Sequence, residues 1–100
     1  MARIIWSGPA LAELDAIADY IALDRPSAAS NLIKEVFSRV SLLEDFPEMC
    51  PHPHDLPGTR YSHLSIPPLR VFYRIEGEIV YIVYVMRAER LLRLENLEAK

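Results

Sequence analysis

The sequence holds a single cysteine, Cys50, in 100 residues. No intrachain disulfide framework can stand behind its fold, and a reducing compartment suits it. Its longest apolar run, Ile79 to Met86, is far shorter than the roughly 20 residues a membrane-spanning helix needs. The opening Met-Ala-Arg-Ile-Ile-Trp lacks the charged segment, apolar stretch and small-residue cleavage site of a secretory signal. These absences lead to the expectation of a soluble, cytoplasmic protein with no membrane partner. No repeat or low-complexity tract is present, and no glycine-rich phosphate loop, Ser/His/Asp set or catalytic carboxylate pair can be discerned, so no cofactor is implied. Positive charge is also scarce. A net charge of −3 argues against wholesale electrostatic binding to nucleic acid, and no direct sequence-specific binding to it is expected.

What is present is an ordinary globular balance, 51% apolar and 25% charged, which predicts one domain spanning residues 1–100 with one modest core. The charge is unevenly placed. Residues 1–59 carry four bases against nine acids, whereas residues 60–100 carry seven bases against five. Six of those seven are arginines, Arg60, Arg70, Arg74, Arg87, Arg90 and Arg93, and arginine is the side chain suited to planar, two-pronged contacts with carboxylate or phosphate.

The pattern predicts an α+β chain. Arg3 to Trp6 reads as a strand, stopped by Ser7-Gly8-Pro9, where Ser7 or Gly8 caps a helix and Pro9 occupies its first turn. Leu11, Leu14, Ile17, Ala18 and Ile21 recur at helical spacing with Glu13, Asp15 and Asp19 on the other side, as far as about Leu23. After Asp24-Arg25-Pro26-Ser27, with Asp24 or Ser27 as the cap, Ala29, Leu32, Ile33, Val36, Phe37, Val40 and Leu43 give a second helix a wide apolar stripe. It must end near Phe46, because Pro47 disfavours helical geometry before it. So short a link makes the two helices an antiparallel hairpin.

Pro47 to Gly58 is a rigid, proline-rich loop. Arg60 to Ile66 reads as a strand, and Pro67-Pro68 turns the chain. Leu69, Val71, Tyr73 and Ile75 then alternate with Arg70, Phe72, Arg74 and Glu76, Glu76-Gly77 marks a tight hairpin, and Ile79 to Met86 is apolar enough to be a central strand. Leu91, Leu94 and Leu97 are spaced for a C-terminal helix. The expected architecture is β-αα-βββ, an antiparallel sheet packed against a helical hairpin. Cys50, His52, His54, Asp55 and His63 have the residue types of a zinc site but not its separated pairs, and alternating prolines splay them, so no metal site is predicted.

The order and punctuation of these elements resemble the RelE/ParE toxin superfamily. The resemblance runs from Ile4 to Arg90. It is carried by Ile5-Trp6-Ser7-Gly8-Pro9-Ala10, by Leu14 to Ile21 with its Ile17 and Tyr20-Ile21, by Pro26 and Ala28-Ala29, by Leu42-Leu43-x-x-Phe46-Pro47, by Gly58-x-Arg60, by Leu69 to Ile75, and by Val85-x-Arg87. Cys50-Pro51 and the tail beyond Arg90 depart from it. The resemblance implies a toxin of a type II toxin-antitoxin system, neutralised by an antitoxin that threads across it, with Trp6, Leu42 and Phe46 as uncovered apolar receptors.

RelE-like members of the superfamily cut messenger RNA on the ribosome, and ParE-like members bind DNA gyrase. RNA cleavage needs cations for the developing phosphorane charge and groups to move protons. Here Arg60 to Ile66 contains no lysine, no His or Tyr follows Met86, and the chain is acidic. The ParE-like branch is therefore expected, a gyrase inhibitor that binds rather than an enzyme. Its target-binding residues would be Arg60, Arg70, Arg87, Arg90, Leu91 and Arg93. The alternatives are an endoribonuclease using Arg70, Arg87, His63 and Tyr73, and a non-toxic interaction module on the same fold.

Overall fold

A computed structural model describes residues 1–90 and 92–98. In chain order the elements are β1 (Arg3–Trp6), α1 (Gly8–Ala22), α2 (Pro26–Ser41), a 3-10 turn (Leu42–Glu44), β2 (Ser62–Ile66), β3 (Leu69–Glu76), β4 (Ile79–Arg87) and α3 (Leu94–Glu98). The sheet order is β1-β4-β3-β2. β2, β3 and β4 form the expected antiparallel meander. β1 joins parallel to β4, so the sheet is mixed. A parallel partner needs a crossover to return the chain to the same end of the sheet, and the helical hairpin, the proline-rich loop and the β2–β3 pair together supply it.

Local chemistry fixes the boundaries. Ser7 caps α1, its hydroxyl accepting from the Ala10 amide at 3.1 Å, with proline in the first turn. α2 begins on Pro26 with Arg25 at the cap position and no side-chain cap, so neither Asp24 nor Ser27 serves as expected. Its α-helical part ends at Ser41, and the chain tightens into the 3-10 turn before Pro47, with the Phe46 amide still reaching the Leu42 carbonyl. β2 starts two residues later than its sequence suggests. The Tyr61 carbonyl accepts from His52 Nδ1 at 2.7 Å and its amide donates to Thr59 Oγ1, so residue 61 is committed to the loop. The β3–β4 hairpin closes through Gly77 and Glu78, and the φ of +60° at Gly77 is one that a side chain would resist.

Each face of the sheet has its own core. Against the hairpin, Leu14, Val36, Val40 and Leu43 pack on Leu64, Ile66, Leu69, Val71, Tyr73, Val80, Ile82 and Val85. On the far face, Leu92 and Leu97 cover Tyr61, Phe72, Val83 and Met86. β4 serves both cores by alternation, and a bulge resets which of its residues face each. Tyr73 pairs with Ile82 and Phe72 with Tyr84, which leaves Val83 unmatched and reverses the facing of everything after it. Val80 and Ile82 face the helices before the bulge, Val85 faces them after it, and Arg87, which pairs with Leu69, follows Val85 onto that face.

Candidate functional site

The inner end of β4 outlasts its neighbour. β1 stops at the Trp6–Ile82 pair, and the Ser7 amide makes the last bond, to the Ile82 carbonyl at 2.9 Å. The chain then turns into α1. Beyond this point β4 presents an edge with no strand beside it, and side chains of α1's entrance fill the place. Glu13 accepts from the Val85 amide at 3.1 Å, and the Ser7 hydroxyl makes a long contact of 3.4 Å to the Val83 carbonyl. An interior amide left unmatched costs more than a typical hydrogen bond returns, so a carboxylate at this spot has structural weight. Helical spacing alone puts Glu13 on the outer, polar side of α1. The stretch of β4 that runs on past the end of β1 meets it there.

Between α1 and this edge lies a groove of about 600 Å³, lined by Glu13, Ala16, Ile17 and Tyr20 on one side and by Tyr84, Val85, Arg87, Glu89 and Arg90 on the other. Arg87 stands at its mouth, its guanidinium 5.7 Å from the Tyr20 ring centre and its Nε 2.6 Å from Glu89. Tyr20 is 61% exposed, so it forms an open aromatic wall. The Glu89 carboxylate raises the pKa of Arg87, and Arg87 lowers that of Glu89, mainly through their hydrogen bond. Arg90 also lines the groove.

The opposite face carries a second cluster. Arg70 grips Asp55 through two bonds of 3.0 and 3.1 Å, sends Nε toward His63 Nδ1 at 3.4 Å, and lies 4.8 Å over the Phe72 ring. His63 stacks on the same ring, centroids 6.0 Å apart. The Arg70 hydrogen bonds pull the Asp55 carboxyl below its ordinary pKa, against the opposing effect of burial. Burial, then the Arg70 charge, pushes His63 below its ordinary value, so the ring is held neutral with Nδ1 as an acceptor.

The four residues that the ribonuclease alternative would use are thus not all brought together. Arg70 pairs with Met86 of the far-face core, and Arg87 pairs with Leu69 of the near-face core, so the two arginines lie on opposite faces. His63 accompanies Arg70. Tyr73 is wholly buried on the helix side, where its hydroxyl donates to the Pro47 carbonyl at 3.0 Å and burial pushes its pKa up.

The other candidate residues divide by place. Arg60 lies beside the Tyr61 ring on the proline-rich loop, near the Tyr61–Glu98 bond of 2.7 Å. Arg93 is exposed at the start of α3, where its backbone amide donates to Asn96 Oδ1. Leu91 lies outside the described residues. Trp6 is half-buried and tilts against Phe37, ring centres 5.0 Å apart. Leu42 and Phe46 are 48% and 59% exposed, and Phe37 and Met49 are exposed as well. Among the described residues no three of His, Cys, Asp and Glu stand close enough to hold a metal ion, and no helix is long and apolar enough to cross a membrane.

Glu13, Tyr20, Asp55 and Glu89 belong to no site that the sequence suggests. Asp55 and Arg70 are 15 residues apart, and no periodicity links a loop acid to a strand arginine.

Comparison with known proteins gives these features their context. Residues 4–92 match the family described as the ParE toxin of the type II toxin-antitoxin system parDE. A Caulobacter vibrioides protein named Toxin RelE2 is 31% identical over 91 residues, covering 91% of this chain and all of that one. A Sinorhizobium fredii protein named as the toxin Y4kP is 34% identical over 88 residues, covering 88% of this chain and 90% of its own length. Among solved structures, a chain from the chromosomal ParDE system of P. aeruginosa superposes with a TM-score of 0.74 at 25% identity, over 89% of this chain and 98% of that one. With the family's pattern running through every strand and both long helices, the chain belongs to the ParE toxin family of type II toxin-antitoxin systems.

Proposed function

We propose that this toxin arrests growth by binding DNA gyrase and that it acts as a binding protein, not as a ribonuclease. The observation that carries this reading is the separation of Arg70 from Arg87 by the sheet itself. Stabilising a phosphorane requires cations that converge on one phosphate from positions held in advance. Arg70 is committed to Asp55 on one face, Arg87 stands over Tyr20 on the other, and Tyr73 is enclosed in the core. A binding surface carries no such requirement. Arg87 and Arg90 line the groove and form its cationic part, while Arg70 belongs to the other face of the sheet and Arg60 and Arg93 stand beside Tyr61 and at the start of α3.

The same groove suits the antitoxin. An extended segment laid beside β4 would find the unpaired strand edge beyond Ile82, with Glu13 yielding the Val85 amide to a backbone carbonyl. The exposed Leu42 and Phe46, with Trp6 and Phe37, offer apolar anchorage on the helical hairpin. A partner so placed covers Arg87 and Arg90, and neutralisation results from occupying the surface the target needs.

Co-expression with the neighbouring antitoxin should give a heterocomplex on size exclusion, and supercoiling by purified gyrase should fall when the free toxin is added. Arg87→Ala with Arg90→Ala should weaken inhibition roughly tenfold or more, the loss expected when central arginines leave an interface. Intact supercoiling together with codon-specific message cleavage would favour the RelE-like reading. Absence of any growth arrest would leave the non-toxic module.

A further inference from the structure

Residues 51–61, the later part of the proline-rich loop and the stretch that leads into β2, are held in place by contacts that differ in chemistry. Two of them do not change with mild acid. The His63 amide donates to the Pro51 carbonyl at 3.0 Å, and His52 donates through Nδ1 to the Tyr61 carbonyl. That second bond survives protonation of His52, because the imidazolium still donates at Nδ1. The third point is the Asp55–Arg70–His63 chain on Phe72, and it depends on His63 being an acceptor. Protonation turns Nδ1 into a donor facing the Arg70 Nε donor and places a second cation beside the guanidinium. The charged or titratable groups that face His63 are Arg70 from β3 and Asp55 and His54 from the loop, while Phe72 beneath it is neutral. Asp55 offsets part of the added charge, but it already serves both prongs of Arg70.

The loop also holds the C-terminal helix. Leu56 packs against the far-face core that contains Leu92 and Leu97, and the Tyr61 hydroxyl donates to Glu98. A cleft of about 350 Å³ between Leu56–Tyr61 and Glu98 marks where the two meet. We propose that loop 51–61 is an acid-released latch, in which protonation of His63 detaches Asp55 and Arg70 from their joint arrangement, loosens the loop, and frees α3 from the far face of the sheet. The consequence is a surface of Tyr61, Phe72, Val83 and Met86 that is covered at neutral pH and accessible in mild acid. The depressed titration of His63 is consistent in sign, since the folded chain prefers the neutral ring.

The test is amide exchange on the full chain at about pH 7.5, about pH 4.5 and points between, with the His63 ring resonances followed alongside and rates divided by their intrinsic values. Protection at residues 56–61 and 96–98 should fall roughly threefold or more in acid, while the β3 and β4 amides of the main core change less. His63→Gln keeps an acceptor for Arg70 and cannot titrate, so its loop protection should be the same at both pH values. Asp55→Asn should leave the loop loose at both. Should His63→Gln fold poorly, the wild-type chain still decides. The midpoint of the loss of protection must coincide with that of the His63 ring resonances. Loop protection that ignores pH, a midpoint that tracks His52 or His54, or equal loss across the whole sheet overturns the proposal.

Discussion

At the scale of single residues, the strongest dependence falls on side chains that complete backbone bonds from a distance. Glu13 stands in for a missing strand at the Val85 amide. Glu13→Ala should cost about 1 to 3 kcal/mol, the penalty of an unmatched interior donor, and Glu13→Gln, whose amide oxygen still accepts, distinctly less. Urea denaturation measures both, and equal losses would mean that the hydrogen bond is not the source. Tyr73→Phe removes the donor to the Pro47 carbonyl. It should cost about 1 kcal/mol in the same assay and leave growth arrest intact, since a buried hydroxyl takes no part in the binding surface. The sequence discloses Tyr73 as a core residue through its alternation with Arg70, Phe72 and Arg74. It does not disclose where the hydroxyl goes, because Pro47 lies in a loop without periodicity. Glu13 is hidden for a related reason. Helical spacing places it opposite the apolar stripe, and what meets that side of α1 is settled only by the fold.

At the scale of elements, the caps give the cleanest comparison. Ser7 ends β1 and begins α1 with one hydroxyl, so Ser7→Ala should destabilise by about 1 kcal/mol. α2 starts from Arg25 without a side-chain cap. Arg25→Asp should therefore stabilise the chain by up to about 1 kcal/mol, through a side-chain acceptor for the first free amides and a favourable charge at the helix start. A thermal melt of the two variants should move in opposite directions, and movement in the same direction would contradict the capping assignments. Element order, the helical hairpin and the central place of β4 are legible because period, proline and glycine mark them. The parallel pairing of β1 is not, since four residues of strand carry no sign of direction. Nor is the bulge at Val83. A run that is apolar at every position from Ile79 to Met86 suits either face, so alternation within it gives no parity to break. That single unmatched residue sends Arg87 to the face opposite Arg70, and the two arginines that look like one site in sequence become two.

At the scale of the whole molecule, stability and surface both depend on pH, and the signs can be assigned. The Asp55 carboxyl titrates below its ordinary value of 3.8 in the folded chain. Its contribution is present above that value and is lost as pH falls through the folded one. His63 also titrates below its ordinary 6.5, so its preference for the folded state is present above 6.5 and is lost as acid protonates the unfolded chain first. Stability should fall in two acid steps. His63→Gln should remove the upper one and Asp55→Asn the lower one, as read from urea midpoints across pH. The larger question is what the arginine-bearing surfaces meet. The most direct measurement is supercoiling by purified gyrase with the free toxin, with the toxin–antitoxin complex, and with the Arg87→Ala, Arg90→Ala variant. Action by binding through the groove mouth predicts inhibition by the toxin alone and little by the other two. Full supercoiling in the presence of a folded toxin that still arrests growth would contradict it.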